Sequence, residues 1–165
     1  ANNWECSQII QLLTEINSKK NWANRSSSKI KPRVWVTSLF NKQVRNLRSN
    51  IQTFAFPNLE VEISSVRSFS GDQADIVIWS VNLAPMVNKK RMKMVGGLQA
   101  LLNAEYIYNL ISRAKSKLII IGSELVLKTL VKPLQNKEKR NLLSNKIGNL
   151  LENLITNKGA VIIDK

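Results

Sequence analysis

Apolar residues recur at helical spacing through Ile9, Ile10, Leu12, Leu13 and Ile16, which predicts an amphipathic helix over roughly residues 4–18. From Lys19 to Lys31 the chain is rich in Asn, Ser and Lys, shows no apolar period, and reads as a loop. Val34-Trp35-Val36-Thr37 is a short buried strand with Pro32 at its entry. Val44, Leu47 and Ile51 mark a short helix. Between Leu59 and Ser65, Val61 and Ile63 alternate with Glu60 and Glu62, the period of a strand with one polar face. Asp75 to Val81 is almost continuously apolar, as a central parallel strand covered on both faces must be. Ala84 to Gly97, with Pro85, Lys89-Lys90-Arg91 and Gly96-Gly97, is the least structured stretch. Helical spacing resumes from Leu98 to Ala114, and Lys117 to Ile121 is another buried strand. Leu125 to Val131 is a short helix or turn stopped by Pro133. Residues 136–157 make a long helix with Leu142, Leu143, Ile147, Leu150, Leu151, Leu154 and Ile155 on one face. Gly159 ends that helix, and Ala160 to Ile163 forms a last short strand. Alternating elements of this kind predict an α/β fold, an open and mostly parallel sheet between helices.

Composition changes this picture in one direction. The chain has 165 residues, enough for one domain with its own core, and 44% hydrophobic content argues against disorder. It carries 25 Lys and Arg against 11 Asp and Glu, a net charge of +14, which points to a polyanionic partner, nucleic acid first. The charge is clustered. No acid lies between Glu15 and Glu60, where Lys19, Lys20, Arg25, Lys29, Lys31, Arg33, Lys42, Arg45 and Arg48 all fall. Between Asp75 and Glu105 the charges are Lys89, Lys90, Arg91 and Lys93. The competing explanation is codon bias, since Lys, Asn and Ile are all abundant.

One cysteine, Cys6, excludes an intramolecular disulfide, and with no histidine the chain can form neither a Cys-His nucleophile nor an ordinary zinc site. Any chemistry rests on carboxylates, Lys, Arg or hydroxyls. No apolar run approaches the roughly 18–20 residues a membrane span needs, and no signal peptide is visible. The expectation is a cytoplasmic protein, or a nuclear one if eukaryotic, with no membrane partner. The first residue is Ala1 and not Met, which suits a fragment of something longer. Trp35 and Trp79 fall inside buried strands and belong to the core, whereas Trp22, in the basic loop, is the one candidate for stacking on a base.

Three segments carry a resemblance. Ser65-Val66-Arg67-Ser68-Phe69-Ser70-Gly71-Asp72-Gln73-Ala74-Asp75 is similar to T-V-D-x-F-Q-G-x-E-x-D, motif V of Upf1/senataxin-type superfamily 1 helicases. Hydroxyl side chains at the C-terminal edge of a parallel strand, and N–H groups after a glycine turn, are good ligands for phosphate. The chain departs from the motif at Arg67, Ser70 and Gln73, where the family has Asp, Gln and Glu. Ile111-Ser112-Arg113-Ala114-Lys115 followed by Leu118-Ile119-Ile120-Ile121-Gly122 resembles motif VI, with Ser-Arg-Ala-Lys for T-R-A-K. Val36-Thr37-Ser38-Leu39-Phe40-Asn41-Lys42-Gln43 looks like motif IV, V-I-T-P-Y-x-x-Q, with Leu39 in place of the proline. The likeness runs from the first helix to about residue 131, and the C-terminal helix and strand would be an added layer.

The resemblance implies a RecA-like, three-layer α/β domain occupying residues 1–165, the C-terminal motor half of an ATP-dependent DNA or RNA helicase. Arg113 would be the arginine finger on the γ-phosphate, because its planar fork suits spreading phosphoryl charge. Phe40, Gln43, Gly71 and Gln73 would join it in binding ATP. Ser65 and Ser68, with Lys89, Lys90 and Arg91, would touch a single strand of DNA or RNA, and the family's polarity is 5′→3′. The sequence has no G-x-x-x-x-G-K-S/T loop and no Asp-Glu pair after an apolar strand. ATP and Mg²⁺ would therefore be held mainly by a first RecA-like domain of the same polypeptide, with no metal ligand here, and the isolated chain should not hydrolyse ATP. Two alternatives stand beside this: a decayed helicase half that only binds nucleic acid, and a protein-interaction domain using the helix at 136–157.

Overall fold

The computed structural model describes residues 2–19, 31–82, 104–122 and 162–163. Their order is α1 (Asn3–Ser18), β1 (Arg33–Thr37), α2 (Asn41–Ile51), β2 (Glu60–Ile63), β3 (Ala74–Ser80), α3 (Ala104–Ser112), β4 (Ala114–Ile121) and β5 (Ile162–Ile163). Each predicted element within these residues is found. The clearest difference is β4, which begins at Ala114, three residues before the strand predicted from Lys117, because Ala74 pairs with Ala114 across a register irregularity. The C-terminal strand is not an added layer: β5 lies parallel to β4 in the same sheet, Ile120 opposite Ile162 and Ile121 opposite Ile163. The loop at 84–97, the turn at 125–131, the helix at 136–157 and Trp22 lie outside the described residues, as do Lys89, Lys90 and Arg91.

The sheet runs β2-β1-β3-β4-β5 and every pairing is parallel. Strand alternation then divides the core in two. Val34, Val36, Ile76, Ile78, Ile119 and Ile121 point to one face, where they pack with Cys6, Ile9, Leu13 and Ile16 of α1 and Leu47 and Ile51 of α2. Trp35, Val77, Trp79, Leu118 and Ile120 point to the other, under Leu110 of α3 and under Leu39, Val66 and Phe69. Helices or covering chain on both faces explain why Ile76–Trp79 of β3 and Leu118–Ile121 of β4 read as unbroken apolar runs. The result is a three-layer α/β fold of the RecA-like kind. Trp35 and Trp79 are 0% and 1% exposed, as core residues should be.

α1 begins with a reciprocal cap. The Asn2 Oδ1 accepts from the Glu5 N–H at 3.3 Å, and the Asn2 Nδ2 donates to Glu5 Oε1 at 2.9 Å. α2 begins with Phe40 in the cap position and no side-chain cap, and its first turn carries no acid. The positive end of that helix is thus left without an internal counter-charge at the C-terminal edge of the sheet.

Strand order makes that edge distinctive. β2 lies on one side of β1 and β3 on the other, so the chain reverses its direction of travel beside β1. In open parallel sheets such a reversal leaves a crevice outside the carboxyl ends of the strands. Segment 64–73 then descends across one face of the sheet, from the end of β2 to the start of β3, and joins the two edges.

Candidate functional site

At the carboxyl edge, Ser38, Leu39, Asn41, Ser65, Val66 and Arg67 line a cleft of about 150 Å³. The Ser65 hydroxyl and the start of α2 meet there, a combination that favours an anionic oxygen, while Ser38 is 0% exposed and its Oγ accepts from the Phe40 N–H. Ser65 and Ser68 form a closed turn. The Ser68 N–H donates to the Ser65 carbonyl at 3.0 Å, and the two hydroxyls lie 2.7 Å apart. Only Ser65 of the pair lines the cleft.

At the amino edge, motif VI comes down on motif V. Arg113 follows α3 directly and precedes β4, while Gly71, Asp72 and Gln73 precede β3, so parallel pairing brings the segments side by side. The Ala74 N–H donates to the Arg113 carbonyl at 2.8 Å. Arg113 Nη1 donates to the carbonyls of Gly71 at 2.9 Å and Asp72 at 2.7 Å, and lies 3.7 Å from Asp72 Oδ1. The Gln73 amide reaches the Ser112 carbonyl at 3.5 Å. One nitrogen of the Arg113 fork is anchored in this way, and Nη2 and Nε make no hydrogen bond among the described residues. The side chain stays 35% exposed.

Residues expected to bind one nucleotide are thus divided between the two edges. Gly71, Gln73 and Arg113 are together at the amino edge. Phe40, half-buried at the start of α2, lies past the carboxyl end of β1, roughly 15 Å away by the rise of a strand. Gln43 is corrected by its surroundings. It is 0% exposed, its Oε1 accepts from the Asn2 N–H at 2.8 Å, and its Nε2 donates to Asn2 O at 3.2 Å and Ser80 Oγ at 3.1 Å. Both ends of the amide are used inside the chain, so Gln43 ties α2 to α1 and β3 and offers nothing to a ligand in this conformation. Its helical neighbours Val44 and Leu47 face the core, and Gln43 is drawn in with them.

Gly71 also has a reason other than the one its turn suggested. Its φ is not positive, so no left-handed conformation demands glycine. A side chain there would instead meet Arg33 Nη1 at 2.1 Å. Glycine leaves that space to the Arg33 guanidinium, which any side chain here would displace.

Three residues escaped the motif reading. Glu62 alternates with apolar neighbours and reads as solvent-facing, yet segment 64–73 folds over it. Its carboxylate accepts from the Ser70 N–H at 3.1 Å, Ser70 Oγ at 3.0 Å, Ser64 Oγ at 3.0 Å and Arg33 Nη2 at 2.6 Å. Burial pushes the Glu62 carboxyl up, but these donors together outweigh it and hold its pKa below the ordinary 4.5. Arg33 is the second. Glu5 is the third, 0% exposed, with Ser80 Oγ and the Asn82 N–H donating to it. Burial raises the Glu5 pKa, and the bonds from Ser80, Asn82 and Asn2 only partly offset this. An acid at the third position after a helix-capping Asn was the available signal for Glu5.

A family model described as an AAA domain matches residues 1–125. The match spans most of the chain, which belongs to that family, a domain found in Upf1-like superfamily 1 helicases. The chain is a helicase-like motor domain from a family of NTPase-type enzymes. Comparison with curated proteins finds no match. The family match ends just past β4, whose last residue is Ile121.

Proposed function

We propose that this chain is the second motor domain of an ATP-dependent superfamily 1 helicase. It would present Arg113 to ATP held by a first RecA-like domain and contribute one side of a single-stranded DNA or RNA track. The supporting observation is the docking of Arg113 on the Gly71 and Asp72 carbonyls, which uses one nitrogen and leaves Nη2 and Nε without a hydrogen bond among the described residues. A guanidinium so anchored keeps its direction and its charge, and both are needed at a γ-phosphate whose negative charge spreads as the bond breaks. Mg²⁺, held by the other domain, would neutralise the remaining phosphate charge. Gln73 would lie beside the nucleotide at the same edge. At the carboxyl edge, Ser65 and the start of α2, whose first turn carries no acid, would receive backbone phosphates of the strand.

The test uses the protein that carries this chain together with its phosphate-loop domain. Arg113→Ala is expected to lower ATP turnover by roughly 10³-fold or more while nucleotide affinity stays nearly unchanged, since a finger acts on charge that develops in the transition state. Arg113→Lys should restore little, because a point charge does not reproduce the fork. Equal turnover by wild type and Arg113→Ala would overturn the assignment.

A second reading, nucleic-acid binding without turnover, draws support from Gln73, an amide where the family has a carboxylate and here turned toward the Ser112 carbonyl. Strand binding by a wild-type protein with no ATP turnover would establish it.

A further inference from the structure

Arg113 shares its surroundings with a second arginine. The Phe69 ring stacks on Trp35 with centroids 4.3 Å apart, and the two guanidiniums lie 5.0 Å (Arg33) and 6.0 Å (Arg113) from its centroid. Arg33 pairs with Glu62 at 2.6 Å and donates to Ser70 Oγ at 3.2 Å, while its backbone N–H donates to Asp75 Oδ2 at 2.8 Å. Glu62 in turn accepts from both the N–H and the hydroxyl of Ser70. The residue immediately before Gly71 is therefore held from three sides by one ion pair. Gly71 has no side chain, and the Arg33 guanidinium occupies the space one would need. The next two carbonyls, of Gly71 and Asp72, are those that hold Arg113.

We propose that Arg33 is a positioning residue for Arg113: the Arg33–Glu62 pair fixes the turn at Ser70–Asp72, and the carbonyls of that turn aim the Arg113 fork. This rests on the reading of Arg113 as the group that meets the phosphate. The chemistry favours arginine over lysine at 33, since Nη2 meets Glu62 and Ser70 while Nη1 fills the space beside Gly71 and the guanidinium lies against Phe69, which a single ammonium cannot do at once. The chain has the short Ser70 where the family has Gln, and Arg33 closes against that smaller side chain.

The experiment is a double-mutant cycle of steady-state ATP turnover in the protein carrying both motor domains. Arg33→Ala is expected to lower kcat about 10²-fold with KM within about 2-fold, the signature of a misdirected catalytic group. Arg33→Lys, which keeps the charge, should leave kcat low. In an Arg113→Ala background, Arg33→Ala should have no further effect. Multiplying effects, or full recovery by Arg33→Lys, would overturn the proposal. If Arg113→Ala leaves kcat untouched, the finger reading fails, and ¹⁵N side-chain NMR of this chain decides positioning by itself. There, Arg33→Ala should shift and broaden the Arg113 resonances, assigned by their loss in Arg113→Lys, and unchanged resonances would sink the idea. Should Arg33→Ala fail to fold, Ser70→Ala is read in the same two ways, with a smaller loss expected in the same direction.

Discussion

Two carboxylates, half-buried Glu62 and fully buried Glu5, respond to acid in opposite senses, and the reason is the balance of burial against donors at each. Glu62 collects donors from Ser64, Ser70 and Arg33, and its folded pKa lies below the ordinary 4.5. Its contribution to stability is fully present above that value and is lost as pH falls through the folded one. Glu5 lies where burial outweighs its bonds, and its folded pKa is above 4.5. Its relative contribution is full below 4.5 and is lost as pH rises through the folded value. Urea midpoints measured from neutral to acid pH should show this directly. The stability gap between wild type and Glu62→Gln should narrow on acidification, and the gap between wild type and Glu5→Gln should widen. At neutral pH, Glu62→Ala should cost roughly 2 kcal/mol, since it removes the charged acceptor shared by Arg33, Ser64 and Ser70. Parallel gaps for the two variants would contradict this account.

At the scale of elements, α1 is attached to the sheet by one apolar stripe. Leu13 is 0% exposed between α1 and the strands, while its neighbour Thr14 faces solvent. Leu13→Ala should therefore cost about 3 kcal/mol in denaturant unfolding, and Thr14→Ala should stay within about 0.5 kcal/mol. Comparable losses at both positions would mean that α1 is not seated as described. The helix periodicity and strand alternation made these elements legible, because each apolar position that recurs must find cover. Glu62 shows where that logic stops. Alternation assigns it to a solvent face, but whether a face meets water depends on what the following segment does, and here residues 64–70 close over it.

For the whole molecule, charge and topology have separate consequences. The net charge of +14 should give weak binding of single-stranded nucleic acid with little sequence preference, because phosphate neutralisation releases counterions whatever the bases. Titrations at rising salt should show log Kd climbing steeply with log salt, equally for unrelated sequences. Affinity that stays flat with salt would remove the electrostatic basis of the strand track. Topology places hydroxyls and the start of α2 at one edge of the sheet and Arg113 at the other. Segment 64–73 connects them: Ser65 lines the carboxyl-edge cleft, and Gly71 and Asp72 hold Arg113 at the amino edge. Under the proposed function this one short segment would touch both the nucleic-acid strand and the phosphate region, a direct way for the two to influence each other.

The amino-acid order alone determined the alternating elements, the two-sided burial of β3 and β4, the core placement of Trp35 and Trp79, and the motifs that carry Arg113 and the Gly71 turn. The elements and their burial follow from local period and local chemistry, which need no knowledge of what lies across the sheet, whereas the motifs were legible through their resemblance to a known family. Tertiary structure decided the rest. It withdrew Gln43 into the interior, because the helix that positions it turns that side toward Ser80 and Asn2. It brought Arg33 and Glu62, twenty-nine residues apart, into one ion pair beneath the motif V turn. Pairs of this kind depend on strand order and on the path of a crossing segment, and neither leaves a periodic trace along the chain.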